Sequence, residues 1–130
     1  MSFAPGDVVT VPFPYTDSLA EKRRPAVVVS SPQLERDHGL IWLAMVTSSA
    51  KGWRGDVSVT DLEAAGLPVR CVVRPAKIAC GSLPRIQGKL GTLRPTDWKS
   101  VKASLARYRA YRDHAAGSTR PAAMRSSSRA

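Results

Sequence analysis

Up to residue 94 the apolar residues of this chain come in short runs, each closed by proline, glycine or hydroxyl residues: GDVVTVPFP (6–14), PAVVVSS (25–31), LIWLAMVTSS (40–49), DVSVT (56–60), RCVVR (70–74) and KIACG (77–81). Runs this short and this rich in Val, Ile and Thr read as strands rather than helices. A further one, RIQGKLGTL (85–93), is loosened by its glycines. Six or so short strands at regular spacing predict a mainly β fold with some α, built on a small curled antiparallel barrel. LIWLAMVTSS is nearly all apolar, which predicts burial on both faces or at a barrel centre. Pro25 is acceptable as the first residue of its strand, where no ladder donor is needed.

Helical signals are few. TDLEAAG (60–66) reads as one or two turns, capped by Thr60 or Asp61 and stopped by Gly66. After Pro95, Thr96 can cap a helix through about Ala115, with Trp98, Val101, Leu105 and Tyr108 as its apolar stripe. From Gly117 the sequence GSTRPAAMRSSSRA loses all periodicity and is expected to be a disordered basic tail. With 130 residues, 43% of them apolar, the chain supports one core, placed in residues 1–116. No stretch approaches the ~20 apolar residues of a membrane span, and MSFAPGDVV lacks the profile of a secretory leader. A cytoplasmic protein without membrane association is the expectation.

Cys71 and Cys80 form no CxxC pair and have no histidine nearby, so metal-ligand spacing is absent and both are expected to be reduced core thiols. The formal net charge of +10 points to a polyanionic partner. Residues 1–97 carry 12 Lys and Arg against 9 Asp and Glu, whereas residues 98–130 carry 8 against 1. Most of the excess is thus C-terminal.

Three places can carry chemistry. In KRRPAVVV, Pro25 biases Arg24 toward extended backbone, and Val27, Val28 and Val29 anchor the strand behind it. A guanidinium on so rigid a base can be held to the tolerance that catalysis needs. In MVTSS an apolar strand ends in Thr47, Ser48 and Ser49, hydroxyls able to hold a phosphate. VVRP repeats the first design, with Arg74 before Pro75. If the three strand ends converge, they make a phosphate clamp. The first has a bland alternative, a solvated charge run, and the second has another, a strand cap or turn. Signatures of serine hydrolases, zinc proteases, P-loops and dinucleotide folds are missing, and His38 and His114 stand too far apart for an acid–base pair.

GDVVTVPFPYTD, KRRPAVVVSS, MVTSS and VVRPAKI, followed by a glycine-containing strand and a TDW helix start, resemble the PemK/MazF toxins of bacterial toxin–antitoxin modules. The similarity runs in order over about residues 6–110. It implies an SH3-like barrel that dimerises and cuts single-stranded RNA without metal or cofactor. The ribose 2′-hydroxyl is then the nucleophile, leaving a 2′,3′-cyclic phosphate and a 5′-hydroxyl. Carried over to this chain, the resemblance implies catalytic roles for Arg24, Thr47 and Arg74. One branch also has an aspartate where this chain has Ala76, and a first-loop histidine that this chain lacks. Asp17 or Glu21 of the first loop can serve as general base instead; an arginine is a poor one.

The resemblance further implies an acidic cognate antitoxin that occupies the same groove. Asp17, Glu21, Lys22, Arg23, Pro25, Ser48, Ser49, Lys51, Arg54 and Lys77 are expected to contact RNA or antitoxin, with Trp53 either a stacking platform for a base or a loop aromatic packed on the barrel. The alternative is a barrel that binds without cutting, as a catalytically inactive relative, a gyrase poison or a nucleic-acid-binding module. Gyrase poisons of this fold act through apolar C-terminal residues, and this chain ends in SSSRA.

Overall fold

A computed structural model describes residues 2–13 and 22–110. Asp17, Glu21, His114, the side chain of Lys22 and the tail from 117 to 130 lie outside the described residues. Six strands, β1 (Asp7–Phe13), β2 (Lys22–Val28), β3 (Leu40–Thr47), β4 (Val57–Ser58), β5 (Val72–Ser82) and β6 (Gly88–Thr92), pair antiparallel in the order β4-β5-β3-β2-β1-β6. Among the described residues three α-helices accompany them: α1 (Pro32–His38), α2 (Leu62–Ala65) and α3 (Pro95–Tyr108).

The pleat sends alternate residues to opposite faces, and both faces are covered. On one, Val8, Val27, Ala44, Val46 and Val73 pack with Ala65, Leu67, Leu93, Val101 and, from α3, Trp98 and Leu105. On the other, Val9, Val11, Ala26, Val28, Ile41 and Leu43 enclose Phe3 against Leu83 and Ile86. The sheet curls because α2, which follows the edge strand β4, packs on the opposite edge strand β6. Contact is backbone to backbone: a Cβ on Gly91 would lie 2.2 Å from the Ala64 carbonyl oxygen, and one on Gly66, which has φ 74, would lie 2.1 Å from that of Leu90. The result is the expected half-barrel with its edges masked.

Two aspartates of the recognisable motifs are structural. The Asp7 carboxylate accepts from Ala4 N–H at 2.9 Å and from the Thr92 hydroxyl at 3.3 Å. Buried Asp97 lies in the first turn of α3, and its Oδ2 accepts both the N–H and the hydroxyl of Thr60 at 2.9 Å. Asp97→Ala strands both donors, so a loss of about 2 kcal/mol in unfolding free energy is expected from denaturant titration.

Several expectations need correction. β2 starts at Lys22 rather than Pro25, because β1 pairs with it as far as Phe13. Pro25 is interior yet tolerated, since the ladder to β3 covers only Ala26–Val28. RCVVR and KIACG are one strand, kept continuous past Pro75 by an irregularity facing Ala44 and Met45 of β3. α1 is an addition to the expected elements: the Ser31 hydroxyl caps it, Pro32 opens it and left-handed Gly39 ends it. α3 takes Pro95 as its first residue with Arg94 at the cap, which moves Thr96 into the helix, and it ends at Tyr108 rather than near Ala115. Cys71 is buried, and burial pushes its thiol up; Cys80 is exposed, not a core thiol. Trp42 is also exposed, at the border of a groove of about 540 Å³ beside α3, so β3 is not buried on both faces throughout.

Candidate active site

β2 and β3 part where Pro25 ends their ladder, which last pairs Ala26 with Met45. Continuing the same register sets Arg24 opposite Thr47, with no ladder bond between them. On the other side of β3, Met45 pairs with Arg74 and Ala44 with Ile78, so Pro75, Ala76 and Lys77 form a bulge. These three strands enclose a recess of about 330 Å³ lined by Arg24, Met45, Val46, Thr47, Arg74 and Lys77. Thr47 ends β3, whereas Arg24 and Arg74 lie inside β2 and β5 rather than at strand ends, and the convergence that the sequence could only suggest brings all three together. The bulge adds Lys77, so three cations and one hydroxyl face the same space, and among the described residues no carboxylate lines it.

The cations are held differently. Arg24 is half-buried, fixed by its pairing with Val11 of β1 and by Val27 and Val28, which are almost wholly buried. Arg74 is 7% exposed and fully engaged along one edge. Its Nε donates to Asp56 Oδ1 at 3.0 Å, its Nη2 donates to Asp56 Oδ2 at 2.9 Å and to the Lys51 carbonyl at 2.8 Å, and its Cζ lies 4.2 Å from the centre of the Trp53 ring. The hydrogen bond from Arg74 is the main cause holding the Asp56 carboxyl below the usual carboxylate range, and the same pairing raises the Arg74 guanidinium above its ordinary value. Arg74 is thus a permanent cation and no general base. Because Asp56 is depressed, the stabilisation it contributes is present above the ordinary carboxylate range and is lost as pH falls through its lowered value.

Thr47 Oγ1 accepts the Ser49 N–H at 3.1 Å, which leaves the hydroxyl hydrogen to donate. Ser49 Oγ accepts the Lys51 N–H at 3.2 Å and builds the turn, and Ser48 and Ser49 are exposed beyond the strand. Of the expected hydroxyl cluster only Thr47 reaches the recess. Arg23 is exposed and points to the opposite face of β2 from Arg24, and Pro25 is half-buried in the strand. Lys51, Trp53 and Arg54 sit in the loop behind Arg74, where the 42% exposed Trp53 carries the guanidinium on its ring.

Asp56 is the residue that reading the sequence missed. It lies in the turn before β4, and its partner is 18 residues further on, a pairing that no local pattern announces. The only local trace is a carboxylate two residues after Arg54 in a chain short of acids.

Compared with known families, residues 4–108 match the family described as PemK-like, MazF-like toxin of type II toxin-antitoxin system. The chain belongs to this family. Among solved structures, MazF from Deinococcus radiodurans is 24% identical with a TM-score of 0.65, the alignment covering 80% of this toxin and 93% of that chain. The MazE–MazF complex from the same organism aligns at 24% identity and a TM-score of 0.66, over 80% of this toxin and 92% of that chain. An endoribonuclease in complex with its cognate antitoxin, from a mycobacterial species, gives 16% identity and a TM-score of 0.66 over 82% and 93%. At these identities the structures establish the fold. Comparison with curated protein sequences returns no significant match. No described helix of the toxin is long and apolar enough to cross a membrane.

Proposed function

We propose that this toxin is an endoribonuclease of single-stranded RNA that works at the recess between β2, β3 and β5 without needing a metal ion. One observation carries the reading: Arg24, Arg74, Lys77 and Thr47 come from three strands to line a single recess. The ribose 2′-oxygen attacks the adjacent phosphorus, its proton passing to a base, while the bond from phosphorus to the 5′-oxygen breaks and that oxygen takes up a proton. The products are a 2′,3′-cyclic phosphate and a 5′-hydroxyl. Negative charge builds on the phosphoryl oxygens in between, and that is where Arg24, Arg74 and the Thr47 hydroxyl donate. Lys77 at the bulge is suited to the neighbouring phosphate as a point charge. For the 2′-proton, Asp17 or Glu21 of the first loop is the proposed acceptor.

The partners follow from the same chemistry. Single-stranded RNA meets the recess and the exposed Lys51 and Arg54 beside it; an acidic segment of a cognate antitoxin competes for those cations; and, as the family likeness supports, the toxin acts in the cytoplasm as a homodimer. Neutralising three phosphates of a single strand gives a slope of about −2 in log affinity against log salt. Filter binding with a mixed-sequence RNA is expected to return that slope or a steeper one; a flat line would contradict a phosphate-binding recess. Failure of a folded toxin to shorten the same RNA, with binding intact, would leave a binding module in place of an enzyme.

A further inference from the structure

We infer that Asp56 is a positioning residue of this site, turning Arg74 so that only its Nη1 edge is presented to the recess. This rests on the function proposed above. A guanidinium has five N–H donors. In Arg74 three of them, on Nε and Nη2, are taken by Asp56 and the Lys51 carbonyl, and the two on Nη1 make no hydrogen bond among the described residues. Since Arg74 also lines the recess, Nη1 is the edge left for an incoming phosphate.

The grip is itself supported. Asp56 Oδ2 accepts the Trp53 N–H at 2.9 Å, and Asp56 N–H returns a bond to the Trp53 carbonyl at 3.1 Å, which closes the turn that lays the Trp53 ring on the guanidinium. α3 holds that turn from behind. Ser104 donates to the Gly55 carbonyl and Tyr108 to the Arg54 carbonyl, each at 2.9 Å. A side chain as long as arginine on a strand would otherwise sample many rotamers; here its plane is set by a fork, a ring and a carbonyl. The loss of Asp56 removes the fork, and Arg74 then neutralises charge without aiming at it.

Asp56→Asn separates orientation from folding, because an amide still accepts the Trp53 N–H but sets its own N–H₂ against the arginine. In a cycle with Arg74→Ala, Asp56→Asn is expected to lower kcat for RNA cleavage about 10- to 100-fold with KM nearly unchanged, assayed where thermal unfolding shows the variant still folded although the lost ion pair lowers its midpoint. The double variant is expected to be no slower than Arg74→Ala alone. Unaltered kcat in Asp56→Asn, or losses that multiply in the double variant, overturns the inference while leaving the ribonuclease reading standing. If the unaltered toxin binds RNA but does not cut it, that reading falls and the Arg74 side-chain N–H signals in NMR decide instead: an Nε–H signal protected from exchange in the unaltered toxin and lost in Asp56→Asn supports the inference, and one that the substitution leaves unchanged overturns it.

Discussion

Arg24→Ala is expected to cut single-stranded RNA at least about 100-fold more slowly than the unaltered toxin, a loss of the size seen when one preorganised donor to a developing oxyanion is removed. Arg24 projects from a strand held on one side by β1 and beneath by Val27 and Val28, so the donor is fixed before substrate arrives. That is what separates it from a surface arginine of equal charge. Its side chain is half-buried in a recess rather than packed in the core, so the variant should unfold within a few degrees of the parent. Arg24→Lys restores the charge without the planar fork, and only part of the rate is expected to return. Gel-based cleavage rates on one RNA, paired with thermal unfolding, check both halves. Parental cleavage by a folded Arg24→Ala toxin would remove this residue from the mechanism.

Gly91→Ala is expected to cost at least about 3 kcal/mol of unfolding free energy, among the largest effects of any single methyl in this chain. Unlike Gly66, Gly91 has no positive φ, so the cost is steric alone. The new Cβ would stand 2.2 Å from the Ala64 carbonyl oxygen and 2.5 Å from the Ala65 carbonyl carbon, both backbone atoms unable to swing aside. Either α2 lifts off β6 or the strand bends, and the half-barrel opens at the seam where its edges meet. Urea titration measures this directly. A change below about 0.5 kcal/mol would mean that α2 does not pack on β6 in this way.

Local patterns carried much of this fold. Val-rich runs broken by Pro and Gly announced the strands, and Asp61 and Gly66 bracketed α2 as their chemistry requires. Trp98, Val101 and Leu105 faced the sheet as their spacing demanded. Arg24, Thr47 and Arg74 could be singled out because rigid strands ending in cations and hydroxyls are visible in a single line of text. Their convergence was not, since it depends on a register between β2 and β3 and a bulge in β5 that pair residues far apart in sequence. Asp56 escaped for the same reason, and Lys77 was seen as a binding residue but not as part of the recess. α1 escaped for a different one: seven residues with none buried leave no apolar stripe, so only its caps spoke.

The central claim is that strand-held cations, with Thr47, carry out phosphoryl transfer through the RNA's own 2′-hydroxyl. The most direct measurement is to incubate the purified toxin with a mixed-sequence single-stranded RNA in excess EDTA and determine the chemistry of the new ends. Fragments bearing 2′,3′-cyclic phosphates and 5′-hydroxyls are the predicted result. Cleavage that stops when EDTA is added, or fragments that carry 5′-phosphates, would contradict it.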